Sequence, residues 1–222
     1  MGRSSVATDA FTGASLNANW SLITPGTAVI NVDGLGHMIC EHSTEGIVRW
    51  TGNSFSDNQY SLIKVISWSN LDDAFVGVVA RCSADTDTNA DYYEYRAQDV
   101  NTGLGTQSRP FVLQKVVNGT PTVLASGNVS CGDNSTIAIE VEGTALRGYV
   151  DGVLQHSSTD SSLTTGRPGA MNSRNGSILA DDWDGGDVTA SAVSITPTAG
   201  APGLSGNAPT RVVGTLLTPA TP

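Results

Sequence analysis

Thr136–His156, TIAIEVEGTALRGYVDGVLQH, is the stretch whose reading decides the fold. Ile137, Ile139 and Val141 alternate with Ala138, Glu140 and Glu142, the period of two that gives a strand one apolar and one polar face. Gly143 ends that run. A second run from Ala145 to Val150 reaches Asp151-Gly152, residues that accept the positive φ of a tight hairpin, and Val153 to His156 returns from it. The pattern predicts a three-stranded antiparallel meander. Its apolar face needs a covering layer, and no amphipathic helix of useful length occurs in the chain, so that layer must be a second sheet.

Working outward, the same signals recur. Gln59–Trp68, QYSLIKVISW, is apolar on both faces for part of its length and reads as a central strand, as does Ala74–Arg81, AFVGVVAR. In Asp91–Gln98, DYYEYRAQ, Tyr93 and Tyr95 oppose Tyr92, Glu94 and Arg96 on a pleated surface. Pro110–Val117 and Thr122–Ala125 flank Asn118-Gly119 and predict a second hairpin, with Pro121 marking an edge strand. Shorter strands are expected over Thr27–Val32, Met38–Glu41, Gly46–Trp50 and Ser177–Trp183. The first strand is expected to begin near Asp9, and Gly166-Arg167-Pro168-Gly169 reads as loop.

From about Thr189 the composition turns to Ala, Pro, Gly and Thr, with Arg211 as its only charge. The expected organisation is one domain over 1–188 and an extended tail or assembly arm over 189–222. Standing alone, such a segment is disordered. Val212, Val213, Leu216 and Leu217 form a short apolar patch that could add to a sheet edge of a neighbouring subunit; the competing reading is a loose end.

The net charge of −10 and pI near 4.5 repel phosphate backbones and anionic headgroups, so nucleic acid and membrane are not expected partners. Cys40, Cys82 and Cys131 are odd in number and lack a C-x-x-C pair, which argues against a disulfide scaffold and a structural zinc site. N-x-S/T sequons such as those at Asn118, Asn128, Asn134 and Asn175 read as chance in a chain this rich in those residues. The opening MGRSSVATDAFTGASLNANW has no apolar leader segment, so export by a secretory signal is not expected.

Several short motifs keep a fixed order: D-A-F with Leu16 and Trp20, D-N-Q-Y-S-L-I-K-V, V-G-V-V-A-R, D-Y-Y-E-Y, L-Q-K-V-V-N-G-T, G-Y-V-D-G-V, G-R-P-G-A and A-D-D-W. The series resembles the concanavalin-A-like and laminin-G-like jelly rolls over roughly residues 6 to 188. That resemblance implies an all-β fold, a two-sheet antiparallel jelly-roll sandwich with one concave sheet and, in this chain, an extended C-terminal tail. Members include sugar-binding modules, glycosidases, adhesion domains and bacteriophage virion domains, so the resemblance leaves function open.

The laminarinase-type glycosidases of that superfamily carry a Glu-x-Asp-x-Glu strand, which is missing here. Glu140-Val141-Glu142 is the nearest feature, with Cα atoms about 6 to 7 Å apart, and the expectation is a solvated strand face. His37, His42 and His156 have no nucleophilic constellation and read as structural or surface residues. Asp85, Asp87, Asn89 and Asp91 space oxygen ligands every second residue and form a candidate calcium loop, though Ala90 stands where an EF-hand needs Gly. Asp181, Asp182, Asp184 and Asp187 are a second acidic cluster, with Asp182-Trp183 read as structural. Tyr92, Tyr93 and Tyr95, with Trp50 and Trp68, are candidate platforms for stacking sugar rings.

The leading expectation is therefore a non-enzymatic structural protein of a bacteriophage particle, self-associating and held to other virion proteins through its tail. The alternative is a carbohydrate-binding module, and the third reading a glycoside hydrolase. Calcium is the one cofactor the residues suggest.

Overall fold

A computed structural model describes residues 2–23, 29–41, 45–69, 74–84, 89–100, 107–173 and 178–189. Among them the chain forms fifteen strands, numbered β1 to β15 in chain order, and no helix. One sheet runs β13 (Val153–Thr159), β12 (Ala145–Val150), β11 (Thr136–Glu142), β6 (Gln59–Ser67), β15 (Leu179–Thr189), β4 (Met38–Cys40) and β3 (Ile30–Val32), with β1 (Gly2–Asp9) also paired to β15. The other runs β10 (Thr120–Cys131), β9 (Gln107–Val117), β8 (Tyr92–Gln98), β7 (Phe75–Cys82), β14 (Arg167–Ser173), β5 (Glu45–Trp50) and β2 (Trp20–Leu22). All pairings are antiparallel.

The meander forms as its sequence predicts. Ile137 pairs with Val150, and Val150 with Val153, across a turn in which Asp151 and Gly152 have φ of 50° and 74°. The second hairpin turns on Asn118 and Gly119, with φ of 48° and 69°, and its return strand β10 lies at the sheet edge where Pro121 costs no ladder bond. Strands β6 and β7 are interior.

Two elements depart from the expectation. Strand β1 begins at Gly2 rather than near Asp9. Its residues are mostly exposed and carry no apolar alternation, so it is held by its ladder to β15 rather than by burial. Strand β14, RPGAMNS, was expected as loop but sits between β7 and β5. Gly and Pro normally interrupt central strands. Here the register shift between Arg167 and Gly169 takes Pro168 out of the regular ladder, and a Cβ on Gly169 would overlap the Val48 carbonyl.

The core lies between the sheets. Ile63, Val65, Ile137, Ile139 and Val141 from the first sheet meet Val76, Val78, Tyr93, Tyr95, Phe111 and Leu113 from the second, all fully buried or nearly so. Trp20 packs edge-on against Trp183 at 4.6 Å and Trp50 at 5.0 Å, with Phe11 beside it. Asp9 accepts hydrogen bonds from Trp20 Nε1 and Phe11 N, both 2.8 Å, and pairs in register with Trp183. The D-A-F, Trp20 and D-D-W motifs are thus one structural knot. A buried ion pair, Arg109 with Asp99, is fully furnished: Arg109 lies 3.9 Å over Trp68 and donates to the Cys131 carbonyl, while Asp99 accepts from Ser69 N and Oγ.

The division at 188/189 meets the structure only at the end of β15, Thr189. Val212, Val213, Leu216 and Leu217 lie outside the described residues.

Candidate functional site

Strand β8 decides which face of the second sheet looks outward. Tyr93, Tyr95 and Ala97 enter the core, so Tyr92, Glu94, Arg96 and Gln98 take the opposite face. Register extends this face sideways. Gln114 on β9 and Val79 on β7 flank Glu94, followed by Gly169 on β14 and Arg49 on β5. The next row is Arg96, Gly77, Met171 and Ile47, and the one beyond is Gln98, Phe75, Ser173 and Glu45. Gly77 and Gly169 leave the middle of these rows without side chains.

This face carries its own apolar cluster, separate from the core: Ile23, Ile47, Val79, Tyr92, Val116 and Met171, with Phe75 packed against it. Glu94 is set into that cluster at 1% exposure. Gln114 Nε2 donates to Glu94 Oε1, and Arg96 Nε lies 2.9 Å from the same oxygen as an ion-pair contact off the line of a hydrogen bond. The Arg96 guanidinium rests 4.3 Å above the Phe75 ring. Glu94 Oε2 and Arg49 Nε, both buried atoms, have no hydrogen-bond partner. Burial and then the Glu45 charge push the Glu94 carboxyl up to about 8, against the pull of Arg96 and Gln114. Burial raises Glu45 as well. Near neutral pH Glu94 is therefore mostly a carboxylic acid, able to donate as well as accept.

The outer face of the first sheet is built differently. Arg3 Nε donates to Glu140 Oε1 at 2.6 Å, Tyr149 OH donates to Glu140 Oε2 at 2.8 Å, and the Arg3 guanidinium lies 5.3 and 5.0 Å from the Tyr60 and Tyr149 rings. Tyr60 OH and Ser5 Oγ both donate to Asp184, and Arg147 holds Glu142 at 3.1 Å. A shallow depression lined by Arg3, Glu140, Arg147, Tyr149 and Leu154 opens here.

These placements sort the sequence candidates. Tyr93 and Tyr95 are fully buried in the core, and Tyr92, on the outer face of the second sheet, is buried there as well at 8% exposure. Trp50 and Trp68 are core residues too. Glu140 corrects the expectation of a solvated face: it is 4% exposed and held by Arg3 and Tyr149. In the acidic loop, Asp85 and Asp87 lie outside the described residues. Asn89 and Asp91 lie inside, and Asp91 Oδ1 accepts from Asn118 N, capping the hairpin between β9 and β10. The second acidic cluster is dispersed: Asp184 serves Tyr60 and Ser5, Asp187 accepts from Ser56 N, and Asp182 faces Lys64 at 3.5 Å. Among the described residues no three His, Cys, Asp or Glu groups converge as a metal would require. His37 pairs with Asp33 and His156 with Tyr95 OH, while His42 lies outside the described residues. The three cysteines are buried and form no disulfide.

The groups that sequence reasoning passed over are Arg49, Glu45, Phe75, Glu94, Arg96 and Gln114. The alternation in DYYEYRAQ separates Glu94 and Arg96 from Tyr93 and Tyr95, but aromatic residues on both faces hide which face is core.

No protein-family model matches the sequence, and no curated protein matches it. Solved structures do resemble the sandwich. The carbohydrate-binding module CBM66 from Bacillus subtilis aligns over 75% of this chain and 95% of its own, with a TM-score of 0.54 and 14% identity. A Bacillus licheniformis β-glucanase aligns over 85% and 99%, at 0.52 and 15%. The fold is a concanavalin-A-like jelly roll. A Bacillus subtilis protein with a galectin-like fold, covering 84% of this chain and 98% of its own at 0.57 and 10% identity, adds to the set. At such identities the concanavalin-A-like likeness carries the architecture alone, and it joins binding modules to a hydrolase.

Proposed function

We propose that this protein is a carbohydrate-binding module and that it binds sugar on the outer face of the second sheet. One observation carries the reading: on that face the partly buried Phe75 stands with Arg49, Glu45, Glu94, Arg96 and Gln114, with buried polar atoms left unsatisfied. A pyranose ring has an apolar C–H face that suits an aromatic ring and a rim of hydroxyls that both donate and accept. A carboxylic acid, an amide and guanidinium groups within one apolar cluster answer both demands. The names of similar structures, a carbohydrate-binding module among them, support the same class of ligand.

A glycan array tests the reading. The full chain is expected to bind at least one saccharide class, Phe75→Ala and Arg96→Ala to weaken that binding about tenfold or more, and Tyr149→Phe on the other sheet to leave it unchanged. Absence of binding to any glycan at millimolar concentration would remove the proposal.

Hydrolysis is the second reading, favoured by one observation: a carboxyl held protonated near neutrality beside a second carboxylate is the state of a glycosidase acid. Release of reducing ends from a bound glucan, lost in Glu94→Gln, would establish it. A place on a bacteriophage particle, expected from composition and tail, adds a location and not a chemistry. Neither the described residues nor the similar structures speak for it.

A further inference from the structure

We propose that the saccharide taken by this face is an acidic one, with a sugar carboxylate bound at Arg49. The inference rests on the carbohydrate-binding reading and names the ligand class. Its starting point is a census of cations. The described residues include nine Lys and Arg side chains. Arg3, Lys64, Arg96, Arg109, Lys115 and Arg147 each face the carboxyl group of an Asp or Glu. Arg81 donates to the carbonyls of Asp57 and Leu163, and Arg167 to those of Thr51 and Asn53. Among the described residues Arg49 alone makes no ion pair or side-chain hydrogen bond, and its Nε is a buried donor with no acceptor. A buried donor left open is costly in a folded protein, more so when charged, so its acceptor is expected from outside the chain.

The position of Arg49 fits that role. It stands on the ladder row of Gly169, Val79 and Glu94, so its guanidinium shares the outer face of the second sheet with that cluster. A guanidinium fork matches a carboxylate with two parallel hydrogen bonds. Glu94 does not oppose such a ligand while protonated. Arg96 adds a second positive charge, and Glu45 is a further carboxyl group on the face among the described residues.

The test is calorimetric titration of the full chain with a uronic-acid trisaccharide and with the same trisaccharide after its carboxyl groups are reduced to neutral hydroxymethyl groups. The acidic form is expected to bind about tenfold or more tighter than the neutral one, with the margin shrinking as salt is raised. Arg49→Gln, checked for an unchanged thermal melt, is expected to erase the margin, and Arg49→Lys to restore part of it. Equal binding of the two forms, or a margin that survives Arg49→Gln, overturns the acidic-ligand proposal while leaving the carbohydrate-binding reading standing. Failure of both forms and of the glycan array to bind overturns the two together.

Discussion

The outer faces of the two sheets contain the same kinds of residues and use them in opposite ways. On the first, Arg3, Glu140 and Tyr149 close on one another, and Tyr60, Ser5 and Asp184 do the same, so each group finds its partner within the chain. On the second, Arg49 Nε and Glu94 Oε2 are left open inside an apolar cluster. A closed network is explained by folding. An open one sacrifices stability, which folding alone does not account for, and that asymmetry singles out the second face as the place where a ligand belongs.

The comparison breaks most visibly if the first face is opened. Glu140→Ala leaves Arg3 without its carboxylate, and a loss of about 3 kcal/mol is expected from chemical denaturation, with sugar affinity unchanged. A loss of affinity with intact stability would place function on the wrong sheet.

An effect of opposite sign comes from closing the second face. The Glu94 carboxyl sits at about 8 against a reference of 4.5, so between those values the folded state holds a proton that the unfolded state has released. Stability must then fall as pH rises through that window. Glu94→Gln keeps the hydrogen-bonding shape and cannot ionise. It is expected to melt with wild type near pH 4 and above wild type at pH 8 to 9. Identical pH profiles for the two proteins would show that Glu94 is not a strained carboxyl.

The smallest effect lies where the two sheets meet at their edges. His156 on β13 contacts Tyr95 OH through Nδ1 at 3.0 Å and a Ser126 backbone group, and burial lowers its pKa below the usual 6.5. The folded state thus prefers the neutral ring, and its contribution is complete above pH 6.5 and lost as pH falls below it. A His156→Gln variant should show a shallower loss of melting temperature between pH 6.5 and 5 than wild type. The same slope in both would discount His156 as a tie between the sheets.

Much of the fold was legible in the sequence because its signals are local. Alternation in TIAIEVE and the two turns Asp151-Gly152 and Asn118-Gly119 fix strands and register without tertiary information. Strand β14 was hidden for the opposite reason: RPGAMNS is made of turn formers, and its place is set by a close approach to Val48 and a register shift that only the neighbouring strands define. The site was less legible still. Arg49 and Glu45 lie on β5 and Glu94 on β8, far apart in sequence, and they share a face only because β14 and β7 bring β5 and β8 together. Tyr93 and Tyr95 drew attention as exposed platforms because aromatic residues look alike on either face of a strand. Tyr92, one residue away, is the one that faces outward.

The central claim is that the second sheet, and not the first, carries the ligand. Titrating the isotope-labelled chain with a uronic-acid trisaccharide and following backbone amide shifts tests it most directly. Shifts gathered on Arg49, Phe75, Tyr92, Glu94, Arg96 and Gln114 are the expected result. Shifts gathered on Arg147, Tyr149 and Leu154, or no shifts for any saccharide, would contradict it.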